Sequence, residues 1–190
     1  SISGNYSEDE AGATMNIDIS DSLGVSFAGA VSGFDDPIIR IKQLGINYGA
    51  TRWSTPHDSA YVQMKENEVR INNFSLASND QEFKVNGIFA FEGAEDLHAD
   101  ISNLDLSLLS LNEILPYSFS GILNANLSLK GTASTPAVQG SVVIAKIEAN
   151  GIAIDTVRAG ISYDDELMNV SGRILTDLYK SVDYALDVPI

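Results

Sequence analysis

Apolar residues along this chain fall into a phrase written three times at thirty-residue intervals: Ile39, Ile41, Leu44, Ile46; then Val69, Ile71, Phe74, Leu76; then Ala99, Ile101, Leu104, Leu106. In each copy two alternating positions precede a two-residue gap, which is Lys42–Gln43, Asn72–Asn73 or Ser102–Asn103, and alternation then resumes in the opposite phase. Successive side chains of a strand point to opposite faces, so an uninterrupted strand would turn the second half of the phrase to the wrong side of the sheet. One extra residue at the gap, a β-bulge, keeps both halves on one face and bends the strand there. Three bends at one interval predict a regularly curved sheet built from repeats.

The surrounding pattern is also strand-like. Met15, Ile17 and Ile19 alternate, as do Val25, Phe27 and Val31, and the Asp21-Ser22 and Gly24 between them signal a hairpin. Tyr61 to Met64 follows the first phrase, and Phe83, Val85, Phe89 and Phe91 follow the second. Leu123, Ala125, Leu127 and Leu129 alternate with Asn124, Asn126, Ser128 and Lys130. Val143, Ala145 and Ile147 read as the same alternation, and Ile152/Ile154 and Ile161/Tyr163 continue it, with Asn150-Gly151 and Asp164-Asp165 as turns. Ser107 to Leu115 alone reads as a helix: Ser107 or Ser110 caps it, Glu113 stands at capping-box spacing from Ser110, and Pro116 stops it.

The fold expected is all-β. Repeated antiparallel strands, about a dozen by this pattern, form a curved, taco-like or groove-shaped sheet with one short helix near 107–115. Residues 1–12 form an acidic polar stretch, and 13–190 a single repeat-built β-domain. The closing Asp187-Val188-Pro189-Ile190 lies within a strand-like pattern, so the chain is expected to be a piece of a longer protein.

Composition narrows the function. With 190 residues, 44% of them hydrophobic, the chain can bury a sizeable area, and a formal net charge of −15 disfavours nucleic acid as a partner. The eleven Lys and Arg are scattered and make no patch for phosphate or anionic headgroups. Mean hydropathy is nevertheless +0.03, so the uncharged residues are strongly apolar and some apolar surface is expected to stay uncovered. Cysteine is absent, and no apolar run approaches the roughly 18 residues of a spanning helix.

Site chemistry is sparse. Ser7-Glu8-Asp9-Glu10, Asp35-Asp36 and Asp164-Asp165-Glu166 lack the ligand spacing of a calcium loop and read as turns and solvated charge. His57 and His98 are the two histidines, too few for a His-based zinc centre. Trp53 and Tyr61 are candidates for an aromatic platform, against the ordinary structural role of a single Trp in a β-domain. No nucleophile, base and orienter can be named together, so no catalytic residue, metal site or cofactor is assigned and no enzyme is expected.

One stretch carries a family likeness. Asn103-Leu104-Asp105-Leu106, the helix closing on Leu115-Pro116, the strand from Gly121 to Gly131-Thr132, then Pro136 and Gly140 resemble the repeating unit of the TamB family. Its members are AsmA-like proteins of the bacterial envelope, related in architecture to bridge-type lipid-transfer proteins. The likeness covers about Phe83 to Glu166 and is looser toward the N-terminus.

The resemblance implies a taco-shaped sheet with an apolar inner face. It also implies a periplasmic location in a protein anchored to the inner membrane, with phospholipid acyl chains as cargo and an outer-membrane barrel partner engaged through other regions. The candidate lipid-groove lining is Phe83, Val85, Phe89, Phe91, Leu123, Leu127, Leu129, Val143 and Ile147. The alternative for such a stripe is the closed core of a β-solenoid or sandwich, serving as an interaction or adhesin module that binds protein or carbohydrate.

Overall fold

The computed structural model describes residues 1–6, 10–20, 23–33, 35–110, 119–164, 167–176 and 180–189. Its strands are β1 (Ile2–Tyr6), β2 (Glu10–Ser20), β3 (Leu23–Ser32), β4 (Ile38–Tyr48), β5 (Thr51–Ser54), β6 (Ala60–Met64) and β7 (Glu68–Ser78). They continue with β8 (Gln81–Ala90), β9 (Glu95–Asp105), β10 (Phe119–Thr132), β11 (Thr135–Ala149), β12 (Ile152–Asp164), β13 (Leu167–Leu175) and β14 (Ser181–Pro189). All fourteen belong to one antiparallel sheet, in which each strand pairs with its neighbour in sequence except that β5 and β6 share the lane between β4 and β7. Within residues 1–12, read as a polar stretch, Ile2–Tyr6 form β1 and residues 10–12 begin β2, both in this sheet. The expected helix appears as the single turn α1 (Ser107–Ser110), and residues 111–115 lie outside the described residues. Among the described residues no helix is long and apolar enough to cross a membrane.

Short turns set this order. Asn150 and Gly151 both adopt left-handed φ, 51° and 77°, as the two central residues between Ala149 and Ile152. That is the twist-matched two-residue hairpin that Asn-Gly favours. With hairpins this tight, strands that follow one another in sequence must lie side by side.

The bulges fall where the repeated phrase places them. Between β3 and β4 the register passes from Ala28↔Gln43 to Gly29↔Ile41, leaving Lys42 over. Between β7 and β8 it passes from Ile71↔Gly87 to Phe74↔Val85, and between β9 and β10 from Ile101↔Ala125 to Leu104↔Leu123. Asn73 and Asn103 sit at φ 50° and 53°, the left-handed region that Asn tolerates better than other residues with a side chain. Their amides, turned out of the ladder, are captured from the next strand: Asn73 N–H donates to Asn86 Oδ1 at 2.6 Å, and Asn103 N–H donates to Asn124 Oδ1 at 3.0 Å. On β4 the Leu44 amide donates to Thr55 Oγ1 at 3.0 Å, beside the break between β5 and β6. A further bulge lies in β11, where Lys146 has φ 53° and the register with β10 passes from Ile122↔Ala145 to Ser120↔Glu148.

The bulges separate two faces across the sheet. One thread of directly paired positions runs Leu76, Phe83, Ile101, Ala125, Val142, Ala159, Gly172, Tyr184. The thread behind it runs Asn86, His98, Ser128, Gln139, Ser162, Asn169, Asp187. No second layer covers the apolar face among the described residues. Among the described residues Ile41, Leu106 and Ile147 are the larger buried apolar side chains, and no large side chain is fully buried.

Candidate functional site: an open apolar groove

A sheet with one apolar face and no covering layer must curl or leave that face wet. Ile46 on β4, Trp53 on β5, Leu76 on β7, Phe83 on β8, and Ile101 and Leu104 on β9 line a common recess of about 260 Å³. In a flat sheet β4 and β9, four strand spacings apart in the path through β5, would lie about 19 Å from each other. Residues from five neighbouring strands, β4 to β9, thus share one recess, as a sheet curved toward its apolar face brings them together. The curvature follows from the bulges, since each bends its strand and increases the local twist.

Most of the expected lining shares this face. Phe83 and Val85 pair with Ile101 and Ala99. Leu123, Leu127 and Leu129 pair with Leu104, Ala99 and Leu97, and all five of these expected residues are partly buried. Phe89 lies opposite Val69 on the same face, and its ring meets that of Phe91 edge to face with centroids 5.5 Å apart. These two rings remain 39% and 58% exposed. Ile147 is buried and would touch a Cβ placed on Gly121, which puts it on the apolar side.

Val143 is corrected. It pairs with Asn124 and Arg158 and therefore lies on the polar face, over a recess of about 580 Å³ with Ser141, Arg158, Arg173 and Asp183. The reason is the bulge at Lys146: the inward residues of β11 are Val142, Ile144 and Ile147, not an unbroken odd series. This is a fourth copy of the repeated phrase, with Ala145–Lys146 as its gap and Ala149 as its last member. Ile46, Trp53, Leu76, Ile101 and Leu104 were also absent from the expected lining, although the phrase itself contains all of them except Trp53.

The other candidates separate. Trp53 pairs with Ile46 in the groove, whereas Tyr61 pairs with Asn72 and faces the other way, so the two make no joint platform. His98 Nε2 lies 3.1 Å from Asp96 Oδ1 on the polar face. His57 borders a polar recess of about 340 Å³ with Ser59, Ser75, Lys84 and Asn86. Asp35, Asp36 and Asp164 are exposed, whereas residues 7–9 and 165–166 lie outside the described residues.

Charge is held on the back. Arg70 Nε and Lys65 Nζ approach Glu68 Oε1 at 2.6 and 3.1 Å and hold its carboxyl below the ordinary range, the Arg70 hydrogen bond being the larger cause. Arg173 grips Asp183 through two bonds of 2.6 and 3.2 Å, with the same effect on Asp183. Glu95 is the exception. It pairs with Gly131 on the apolar face, is 5% exposed, and its Oε2 has no hydrogen-bond partner among the described residues.

The chain matches no protein-family model, no curated protein and no solved structure.

Proposed function

We propose that this chain is a non-enzymatic segment of a TamB-like envelope protein, whose apolar β-groove binds and conducts phospholipid acyl chains between the inner and outer membranes and assists outer-membrane assembly. The observation that carries the proposal is the curved apolar face, uncovered among the described residues and still open at Phe89 and Phe91. An acyl chain is the cover such a face lacks. It needs no hydrogen-bond partner, and each methylene removed from water contributes about 0.8 kcal/mol. About ten methylenes laid along the groove would therefore contribute about 8 kcal/mol before the cost of ordering the chain. In this reading the protein works in the periplasm, and the inner-membrane anchor and the outer-membrane barrel partner belong to other parts of a longer polypeptide.

The test places a photo-crosslinking residue at Phe83 or Val85 in the full chain and exposes it to phospholipid vesicles. Leu127→Asp and Phe89→Asp are then compared with the parent by crosslinking and by thermal melting. In an open groove the new carboxylate stays hydrated when lipid is absent, so folding persists, while an acyl chain cannot compensate the charge it would desolvate and the lipid adduct is lost. No adduct in the parent, together with unfolding of both variants, would reject the conduit in favour of a closed scaffold of the adhesin kind.

A further inference from the structure

We propose that Glu95 is a recognition site for an alkylammonium group at one rim of the groove; the proposal rests on the groove being an acyl-chain site and adds the headgroup chemistry. Glu95 is the one buried charged side chain among the described residues, and its Oε2 has no partner there. A carboxylate only accepts hydrogen bonds, so a donor or a cation must satisfy it. The residues around it on its face supply neither. Leu97 follows it on β9, Gly131 faces it on β10 and Pro136 lies beyond on β11, while the β8–β9 ladder ends at Ile88↔Asp96, one step before Phe89 and Glu95. A buried carboxylate oxygen without a partner is held at a cost to stability, which a ligand donor would relieve.

The neighbours define the ligand. Phe89 and Phe91 stand edge to face, 39% and 58% exposed, just past the point where β8 leaves its ladder with β9 beside Glu95. Aromatic surface, an unpaired carboxylate and aliphatic walls together suit an ammonium carried on a hydrocarbon chain. The dimensions agree. From Glu95 through Leu97 and Ala99 to Ile101, at the recess with Phe83, is six residues of strand, about 20 Å. A bilayer hydrocarbon core of about 30 Å holds two acyl chains end to end, so one chain of about 15 Å fits between the carboxylate and the recess.

Two sources carry this chemistry, an ethanolamine headgroup and a free long-chain amine. The parent chain and Glu95→Gln, each with a photo-crosslinking residue at Leu129, are offered equimolar phosphatidylethanolamine and phosphatidylglycerol, and the adducts are counted by mass spectrometry. Calorimetry with dodecylammonium and with dodecanol is run beside it. The parent should favour the ammonium compound by about tenfold or more, the worth of one charge-assisted hydrogen bond, and Glu95→Gln should abolish the preference while still binding dodecanol. Glu95→Gln should melt at or above the parent, because it removes the buried carboxyl oxygen that has no donor.

Preference confined to dodecylammonium, with no lipid adduct, would leave the ammonium site standing with a free amine as ligand and reject the phospholipid conduit. Equal binding of all four compounds would overturn the ammonium site and leave the groove. A preference that survives Glu95→Gln, or a lowered melting point for that variant, would also overturn the ammonium site.

Discussion

Deleting Asn73 removes one bend and nothing else from the covalent chain. Asn73 is the left-handed residue of the β7 bulge, with its amide bonded to Asn86. Without it β7 returns to period two, so Phe74 and Leu76 turn to the polar face and Ser75 and Ala77 turn inward. Full burial of a Phe or Leu contributes about 1.5–3 kcal/mol, and both side chains are partly buried here. Exposing them and losing the Asn86 bond together cost on the order of 4 kcal/mol. For a chain of this size each kcal/mol moves the melting midpoint by about 2–4 °C, so the deletion should lower it by roughly 8–16 °C. Asn73→Gly keeps the left-handed turn and should stay within about 2 °C of the parent. Scanning calorimetry decides it: a deletion that melts beside the parent, or a glycine variant that falls as far as the deletion, refutes the bend.

The β12–β13 pair offers a second contrast. A Cβ on Gly172 would run into the Arg158 carbonyl and the Tyr184 hydroxyl, whereas one on Gly160 meets nothing nearer than the Ser171 carbonyl at 3.8 Å. Gly172→Val should therefore cost about 1–3 kcal/mol and Gly160→Ala less than about 1, and equal urea midpoints would count against this geometry. Acid should weaken the sheet through Glu68 and Asp183. Both carboxyls are held below their ordinary values of 4.5 and 3.8, so their contribution is present above those values and is lost as pH falls below them through the folded pKa. Glu68→Gln with Asp183→Asn should flatten the fall in melting temperature between neutral pH and pH 3; a parallel curve would show that these pairs contribute nothing.

The bends were legible because a bulge leaves a phase change in the hydrophobic pattern. Ile41/Leu44, Ile71/Phe74 and Ile101/Leu104 each carry it, and the structure places each pair on one face. The fourth copy escaped because Val143 and Ala145 are themselves apolar, so Val142, Val143, Ile144 and Ala145 fit either phase, and only the left-handed Lys146 selects one. Trp53 gave no sign of a groove, since it shares a recess with Leu104 only through the order of the intervening strands. Glu95 left no trace in the pattern. One carboxylate at the start of a strand looks like any solvated end, and its burial arises in a sheet where Gly131 is brought alongside by another hairpin.

The asparagine clasps at Asn73–Asn86 and Asn103–Asn124 lie on the side of the sheet that the groove never touches. Radius and wall chemistry are thus written in different residues and can drift separately. Under the proposed conduit, exchanging Leu127 or Val85 for another aliphatic would change what the groove prefers to hold without changing its curvature, whereas gaining or losing one clasped residue would change the curvature and leave the lining as it is. A lineage of such sheets would be free to change its curvature by gaining or losing bulges, while the residues of the apolar face vary on their own schedule.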